Sequence, residues 1–443
     1  MHDLMIIVTV ISFLLTIGFI FWRPQVNEAV PATVGAVFVL LSGSVTLTDL
    51  GQITETIGGA AVTIIATIVM AIVLESFGFF YWAAELLTEK AKGSGIRLFW
   101  LTNLFCFLMT LFVNNDGSIL ITTPILLLLL QNMGLKNHQK IPYLLSGALI
   151  ATAASAPIGV SNIVNLIALK IVDMDLYMHT AMMFVPAMLG LILLSLLLFA
   201  AFYRTLPKAL PPVARWSLIT RKHPLQESVS QVNRTAFMRN ILIFVFLVRI
   251  SLFIASYIHF SVSLTAVIGS ALLLAWRWFY LKISPADMLR KTPWFILLFA
   301  FSMYVIISGL NNIGLTAWLI LALQPIISDS LVNASVVMGG LLSILSNLFN
   351  NHPALMIGTL AITNMGLDPM TLKIAYLASV IGSDIGSLLL PIGTLATLLW
   401  MHIVRKGGVK ISWGQYLRVT AVVIPITVIF TLLLLSYWVL WVF

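Results

Sequence analysis

The chain has 443 residues, of which 60% are hydrophobic and only 9% are charged. A soluble domain carries about 25% charged residues, and a mean hydropathy of +1.06 leaves too few polar groups to cover a water-facing surface. The composition therefore excludes a soluble enzyme and predicts a membrane protein crossed by apolar runs of about 20 residues. The net charge of +9 indicates basic cytoplasmic loops and not a nucleic-acid surface.

The predicted elements follow one another in a regular order. Long apolar runs predict transmembrane helices, and we expect about ten of them. They lie at about 4–22, 31–45, 59–82, 142–169 and 179–203 in the first half, and at about 240–257, 261–279, 292–310, 371–402 and 416–441 in the second.

Two further apolar segments, 98–131 and 333–363, are interrupted near their middle by polar clusters. The first cluster reads Asn114-Asn115-Asp116-Gly117, and the second runs from Asn347 to Pro353. An aspartate and several asparagines are costly at the centre of a membrane-crossing helix. A re-entrant hairpin accommodates them because its tip is buried in protein or faces a cavity.

Basic residues cluster in particular connections between these elements, and membrane proteins keep such residues on the cytoplasmic side. The clusters are Lys90, Lys92 and Arg97; Lys136 and Lys140; Arg204, Lys208, Arg215, Arg221, Lys222, Arg234 and Arg239; Arg277, Lys282, Arg290 and Lys291; and Arg405, Lys406 and Lys410. When all of these clusters are placed on the cytoplasmic side, the predicted helices cross the membrane in alternating directions and each hairpin returns to the side from which it entered. This predicts a multi-pass protein of the bacterial inner membrane with both termini extracytoplasmic.

The two halves of the chain repeat. Pro157-Ile158-Gly159 recurs as Pro391-Ile392-Gly393, and Asn114-Asn115 recurs as Asn350-Asn351 at nearly the same spacing. Each half reads as three helices, a hairpin, a broken helix and a final helix. We predict an all-α inverted-topology repeat, which is common in secondary transporters. Its parts are a first repeat at 1–203, a cytoplasmic linker at 204–239 and a second repeat at 240–443.

Glycine and proline break two predicted helices, one in each half. The first break runs from Ala154 to Asn162, and the second from Gly382 to Thr394. Such breaks free backbone N–H and C=O groups and direct half-helix ends at one place near the midplane. The alternative is that these small residues serve only tight helix packing.

Polar side chains at the hairpin tips and breaks are the candidate binding residues, since amides and hydroxyls both donate and accept hydrogen bonds. Turn and cap chemistry is the alternative role for the tip asparagines. The candidates are Asn114, Asn115, Ser161, Asn162, Asn165, Asn350, Asn351 and Thr394.

Asp116 and Asp384 are the candidate proton-coupling residues, because an intramembrane carboxylate is a functional hypothesis by default. A helix cap is the alternative for each of them. Glu75 and Arg249, also within predicted helices, are expected to pair with each other or to reach the headgroups. Cys106 is the only cysteine, so a multi-thiolate metal site is excluded. We expect no metal and no cofactor.

Four motifs, in order, resemble those of the arsenite/antimonite efflux permease (ArsB) family of the ArsB/NhaD ion transporter superfamily. They are Asn114-Asn115-Asp116-Gly117, Ser161-Asn162-Ile163-Val164-Asn165, the segment from Pro391 to His402, and Ile411-Ser412-Trp413-Gly414. The second break, Gly382-Ser383-Asp384-Ile385-Gly386-Ser387-Leu388, lacks the cysteine and the lysine that many members carry there.

The resemblance implies a fold of ten helices and two hairpins that extrudes As(III) and Sb(III) from the cytoplasm as protons enter. It implies the asparagines of both hairpins and Asp116 as site residues. The expected partners are arsenite or antimonite, protons and the lipid bilayer, with a soluble ATPase in some relatives and no nucleic acid. A homodimer is left open.

Several alternatives to this function remain, among them transport of phosphate or silicic acid and a passive channel. A sodium/proton antiporter, or another small-ion transporter of the same superfamily, could use Asp116 and Asp384 as exchangeable carboxylates. An intramembrane enzyme is disfavoured, because the sequence contains neither His-Glu-x-x-His nor an ATP-binding Gly-x4-Gly-Lys-Ser/Thr loop. We therefore expect a secondary active transporter and not an enzyme.

Overall fold

The computed structural model describes residues 2–23, 26–210, 231–282 and 284–443, apart from the side chains of residues 116 and 231–234. Within these ranges the chain is helical and forms no strand. There, 11 helices are long and apolar enough to cross a membrane. The predicted class, an all-α polytopic membrane protein, is confirmed.

The first half begins with α1 (His2–Trp22), α2 (Ala29–Ser42), α3 (Leu47–Ser76) and α4 (Phe79–Ala91). A hairpin of α5 (Gly95–Phe112) and α6 (Asn115–Asn132) follows. The broken helix is α7 (Asn137–Ala153), a 3-10 turn (Ala156–Ile158) and α8 (Ile163–Ile171), and α9 (Leu176–Phe202) ends the half.

The second half begins with α10 (Gln231–Tyr257), α11 (Val262–Leu281), α12 (Ala286–Lys291), α13 (Phe295–Asn312) and α14 (Leu315–Ile327). The second hairpin consists of α15 (Leu331–Phe349) and α16 (Asn351–Thr363). The second broken helix is α17 (Pro369–Asp384), a 3-10 turn (Gly386–Leu389) and α18 (Leu395–Lys406), and α19 (Trp413–Val442) ends the chain.

Both predicted hairpins are confirmed, and an asparagine stands at each turn. Asn114 caps α6, its side-chain oxygen accepting a hydrogen bond from Gly117 N at 2.7 Å. Asn350 has a positive φ of 75°, and its side-chain oxygen accepts from His352 N at 3.4 Å. With its ψ of 152°, Asn350 lies outside the left-handed helical region that asparagine tolerates and in one that glycine almost alone occupies, so the backbone is strained at this turn.

Three short helices, α4, α12 and α14, were not predicted. The third predicted helix, 59–82, is in fact α3 and α4, which are separated at Gly78 (φ 76°). Likewise, Gly314 (φ 93°) separates α13 from α14. The spacing between these glycines equals that between Asn114 and Asn350, so the breaks are a further element of the repeat. Because α14 has only 13 residues, it rises about 20 Å and is too short to span a bilayer.

Helix α3 begins at Leu47, whereas the polar sequence that follows Leu47 led to a predicted start at about residue 59. Thr46 and Asp49 form a reciprocal capping box, with hydrogen bonds of 2.8 and 3.2 Å between side chains and backbone amides. This arrangement satisfies two of the free amide groups at a helix start. It therefore extends the helix into a segment that hydropathy indicates as a loop.

Contacts between the halves occur in matched pairs. Helix α2 packs on α13 as α11 packs on α3, and α6 packs on α18 as α16 packs on α8. The two final helices, α9 and α19, pack on each other. Exchanging the halves therefore preserves these contacts. The boundaries of the repeats stay a prediction: α10 already begins within the predicted linker, and Arg215, Arg221 and Lys222 lie outside the described residues.

The second hairpin and the second broken helix approach each other through glycines. A Cβ on Gly382 of α17 would lie 2.4 Å from the carbonyl oxygen of Gly339 in α15. A Cβ on Gly386 would lie 2.0 Å from the Ser343 hydroxyl oxygen. Since small residues let helix backbones approach in membranes, these glycines fix α15 directly against α17.

We expect Gly382→Ala to destabilise the protein by about 1–3 kcal/mol, because the added methyl overpacks against a backbone atom that cannot move away. The midpoint of thermal unfolding in detergent measures this effect. Gly340→Ala is the matched control, because no atom lies within 4 Å of its added Cβ. Equal midpoints for the two variants would contradict the close contact between α15 and α17.

Candidate functional site

A buried carboxylate joins the two halves. Asp384, the last residue of α17, is 0% exposed. Its Oδ2 accepts hydrogen bonds from Ser155 Oγ at 2.6 Å and from Asn165 Nδ2 at 2.7 Å, and its Oδ1 accepts from Asn162 Nδ2 at 2.9 Å. All three donors belong to the first half and are neutral. The carboxylate of the second break is thus held by the first break.

The local sequence explains why these donors converge. Asn162 caps α8, with its side-chain oxygen accepting from Val164 N at 3.2 Å, which leaves its Nδ2 free to reach Asp384. Asn165 lies three residues further along α8, and residues at this spacing share a helix face. Ser155 lies just before the 3-10 turn that ends the first part of the broken helix.

Each hairpin tip is bonded to the broken helix of its own half. Asn115 N donates to Ser161 O at 2.8 Å, and Asn351 N donates to Gly393 O at 2.9 Å. These are equivalent bonds of the two repeats. The Ser383 hydroxyl donates to Asn351 O at 3.5 Å, which connects the second tip to the residue next to Asp384. Both tips and both breaks therefore form one continuous polar cluster.

Several side chains of this cluster are buried and have no hydrogen-bond partner within the described part of the chain. Such groups are rare in proteins, because an unpaired buried polar atom costs free energy. They offer acceptors, donors and hydroxyls that a small polar solute could use. The atoms are Asn115 Oδ1, Asn165 Oδ1, Ser118 Oγ, Ser161 Oγ, Ser387 Oγ, Asn350 Nδ2 and Asn351 Nδ2.

Four of the predicted binding residues also act as caps, including Asn162, which caps α8. For the tip asparagines this was the predicted alternative role. Asn114 and Asn350 cap the second helices of the hairpins. Thr394 caps α18, its hydroxyl oxygen accepting from Thr397 N at 3.0 Å. Asp116 is the second residue of α6, and its side chain lies outside what the structure describes. The binding and coupling roles of all these residues stay predictions.

Three polar residues of the cluster were not among the candidates. The sequence carries no signal for Ser155 and Ser383, because their partners are distant in sequence. Asn347 holds the second break: its Nδ2 donates to Gly386 O at 2.8 Å, and its Oδ1 accepts from Leu390 N at 2.7 Å.

Arg249 binds the first hairpin and not Glu75, so the predicted pairing is wrong. Its Nη2 donates to Phe112 O at 2.9 Å and to Val113 O at 2.5 Å, whereas Glu75 is exposed. These carbonyls end α5, where the helix dipole is negative and favours a cation. Arg249 of α10 therefore stabilises the end of the helix that leads to the first tip.

The chain is similar to a known family along most of its length. The model of the ArsB family, described as arsenical pump membrane protein, matches residues 8–439. A "Putative arsenical pump membrane protein" of Bacillus subtilis (strain 168) is 61% identical over 98% of this chain and 100% of its own length. An "Arsenical pump membrane protein" of Escherichia coli is 31% identical over 95% of this chain and 96% of its own length.

A solved structure shares the fold. The crystal structure of the Alcanivorax borkumensis YdaH transporter, described as having an unusual topology, covers 89% of this chain and 90% of its own chain, with a TM-score of 0.55 and 14% identity. At this identity the likeness concerns the fold alone. The family match over nearly the whole chain, together with the similarity to the relatives, confirms the resemblance seen in the motifs. The chain belongs to the arsenical pump membrane protein (ArsB) family of membrane transporters.

Proposed function

We propose that this protein exports arsenite and antimonite from the cytoplasm in exchange for protons. The neutral trihydroxide As(OH)3 is the expected form of the solute, and Asp384 is the group that takes up and releases the proton. The observation that carries this proposal is the hydrogen-bond geometry between Asp384 and Ser155.

The Ser155 hydroxyl has one hydrogen and two acceptors within reach. Its oxygen lies 2.7 Å from Thr152 O and 2.6 Å from Asp384 Oδ2. When Asp384 is ionised, Ser155 donates to the carboxylate. When Asp384 carries a proton, the carboxyl group donates to Ser155 Oγ, and Ser155 then donates to Thr152 O. Rotating one hydroxyl thus accommodates both protonation states without moving a backbone atom.

The unpartnered groups of the cluster suit a small neutral trihydroxide. Each hydroxyl of As(OH)3 both donates and accepts a hydrogen bond. Asn350 and Asn351 present free N–H donors, whereas Asn115 and Asn165 present free oxygen acceptors. Cys106 is buried in α5 and lies outside the cluster, so binding by thiolates is not part of the proposal. A hydrogen-bonded solute also leaves more readily than a thiolate complex.

The proposed cycle alternates solute and proton at one site. As(OH)3 binds from the cytoplasm between the hairpin tips and the breaks while Asp384 is ionised. The site then opens outward, the solute leaves, and a proton from outside neutralises Asp384 before the site returns. Each proton that enters supplies roughly 2.3 kcal/mol per 100 mV of membrane potential. Asp116, at the start of α6, is the second proposed coupling residue.

The donors around Asp384 favour a proton over sodium as the coupling ion. Sodium requires several oxygen atoms that direct lone pairs towards it, as other hard cations do. At Asp384 the neighbouring Ser155, Asn162 and Asn165 direct hydrogens towards the carboxylate. A sodium ion there would displace all three bonds. A proton needs only the Ser155 hydroxyl to rotate.

The proposed orientation in the bacterial inner membrane follows the basic residues. With the loops that carry Lys90, Arg204 and Arg405 in the cytoplasm, both termini are extracytoplasmic. In this arrangement the proton gradient alone drives export. A soluble ATPase, as in some relatives, would add a second energy source. A homodimer is compatible with the same orientation.

We expect Asp384→Asn to abolish energised uptake of arsenite into everted membrane vesicles, with at least a tenfold loss of accumulation. The amide keeps the size of the side chain but cannot take up a proton. Asp329→Asn is the matched control, because Asp329 lies in an exposed connection between α14 and α15. Accumulation by the Asp384→Asn vesicles that still collapses with a protonophore would disprove the coupling role.

We expect Asn351→Ala to raise the KM for arsenite about tenfold, because one hydrogen bond of about 1.5 kcal/mol to the solute is lost. Initial rates of uptake at a series of arsenite concentrations measure this change. Asn364→Ala is the control, since Asn364 is exposed at the opposite end of the same helix. An unchanged KM in the Asn351→Ala variant would exclude the second tip from the binding site.

A further inference from the structure

A cavity of about 540 Å³ opens at one end of the bundle. It lies between α3, the end of α8, and the connections that join α8 to α9 and α10 to α11. Among its lining residues are Lys170, Asp173, Asp175 and His259. Since only 9% of the chain is charged, four titratable side chains in one cavity are a marked concentration. The lining of the cavity is therefore polar enough to accept water or a small polar solute.

A single short helix connects this cavity to the site. Asn162 and Asn165, at the start of α8, donate to Asp384, whereas Leu166 and Leu169 of the same helix line the cavity. Asn165 and Leu169 are one turn apart, which corresponds to a rise of about 6 Å. The polar cluster thus lies roughly one helical turn below the wall of the cavity.

The two sides of the cavity are held differently. On one side, Ser263 of α11 donates to Gly59 O of α3 at 2.9 Å, and Thr63 donates to Ser263 Oγ at 3.2 Å. These hydrogen bonds fix α3 and α11 to each other. On the other side, α8 contributes Leu166 and Leu169, whose apolar contacts with α3 are not directional. Among the described residues of α8, α3 and α11, no hydrogen bond joins α8 to the other two helices, so apolar packing holds this side.

At the rim of the cavity, the start of α9 contacts the end of α10 through a hydrogen bond and a pair of aromatic rings. Tyr177 N donates to Ser256 Oγ at 3.0 Å, and the rings of Tyr177 and Tyr257 lie 4.8 Å apart. Asp175 Oδ2 lies 3.9 Å from His259 Nδ1. Because α9 runs from this rim towards Arg204 and Lys208, the rim is at the end of the bundle opposite those basic residues.

We propose that this cavity is the extracytoplasmic vestibule of the transport path, through which the exported neutral hydroxyl-bearing solute leaves and protons enter. The inference rests on the proposed function and adds its route: solute passes from the Asp384 cluster along α8, past Leu166 and Leu169, and out at His259. In this structure the path is closed between the cluster and the cavity, since Asn162 and Asn165 are buried and do not line the cavity.

Single-cysteine labelling tests this route, because removing Cys106 leaves the chain without cysteine. On a Cys106→Ala background, Leu169→Cys places a thiol in the inner wall, His259→Cys places one at the rim, and Lys410→Cys places one in a basic loop as the control. Each variant is treated with a membrane-impermeant methanethiosulfonate reagent in intact cells and in everted vesicles. Mass spectrometry measures the labelling, and arsenite uptake into everted vesicles is measured separately.

We expect Leu169→Cys and His259→Cys to react in intact cells and Lys410→Cys to react only in everted vesicles. Labelled Leu169→Cys should lose at least nine-tenths of the transport that the unlabelled variant shows, and measurable transport by the unlabelled variant shows that it folds. Reaction of Leu169→Cys only from the cytoplasmic face would contradict the assignment of the cavity as a vestibule. Equal transport by the labelled and unlabelled variant would contradict it as well. Labelling requires no transport. If the Cys106→Ala parent moves no arsenite but Leu169→Cys is labelled from outside, the proposed solute is refuted and the route is retained.

Discussion

The burial of Asp384 is the constraint on which the rest of the structure depends. An ionised carboxylate in a membrane interior is costly unless hydrogen-bond donors surround it. Here every donor comes from the other half of the chain: Ser155, Asn162 and Asn165. The two halves must therefore meet at this one point. The paired contacts of α2 with α13 and α11 with α3 bring them there.

The same constraint explains why the broken helices are broken. A continuous helix would satisfy its backbone internally and could not bring Ser155 and Asn162, seven residues apart, to one carboxylate. The turn at Pro157 and Gly159 brings these two side chains together. Gly159 has a left-handed backbone (φ 58°) and packs against the His179 ring, where an added Cβ would lie 3.1 Å from Nε2. His179 in turn lies 3.1 Å from Ala156 O and 3.2 Å from the Tyr376 hydroxyl. The break is thus packed on both sides.

Hydropathy and composition predicted the class, both hairpins and both breaks, because these features are local. Asn114, Pro157 and Gly393 each indicate by residue type that a helix cannot continue unchanged. The short helices α4 and α14 were not predicted, since a glycine that separates two apolar helices resembles a glycine within one. The roles of Ser155, Ser383 and Arg249 were also out of reach. Their partners lie far away in the sequence, and a lone sequence carries no signal for such pairs.

The order of the donors and the acceptor along the chain has a consequence for biogenesis. Ribosomes deliver the N-terminal half first, and domains generally fold as they emerge. Ser155, Asn162 and Asn165 are therefore synthesised long before Asp384. When α17 enters the bilayer, neutral donors already stand where its carboxylate will lie. The three donors are uncharged, so inserting them into the membrane without a partner costs less free energy than inserting Asp384 alone. Asp384 is synthesised only after the donors that will bind it.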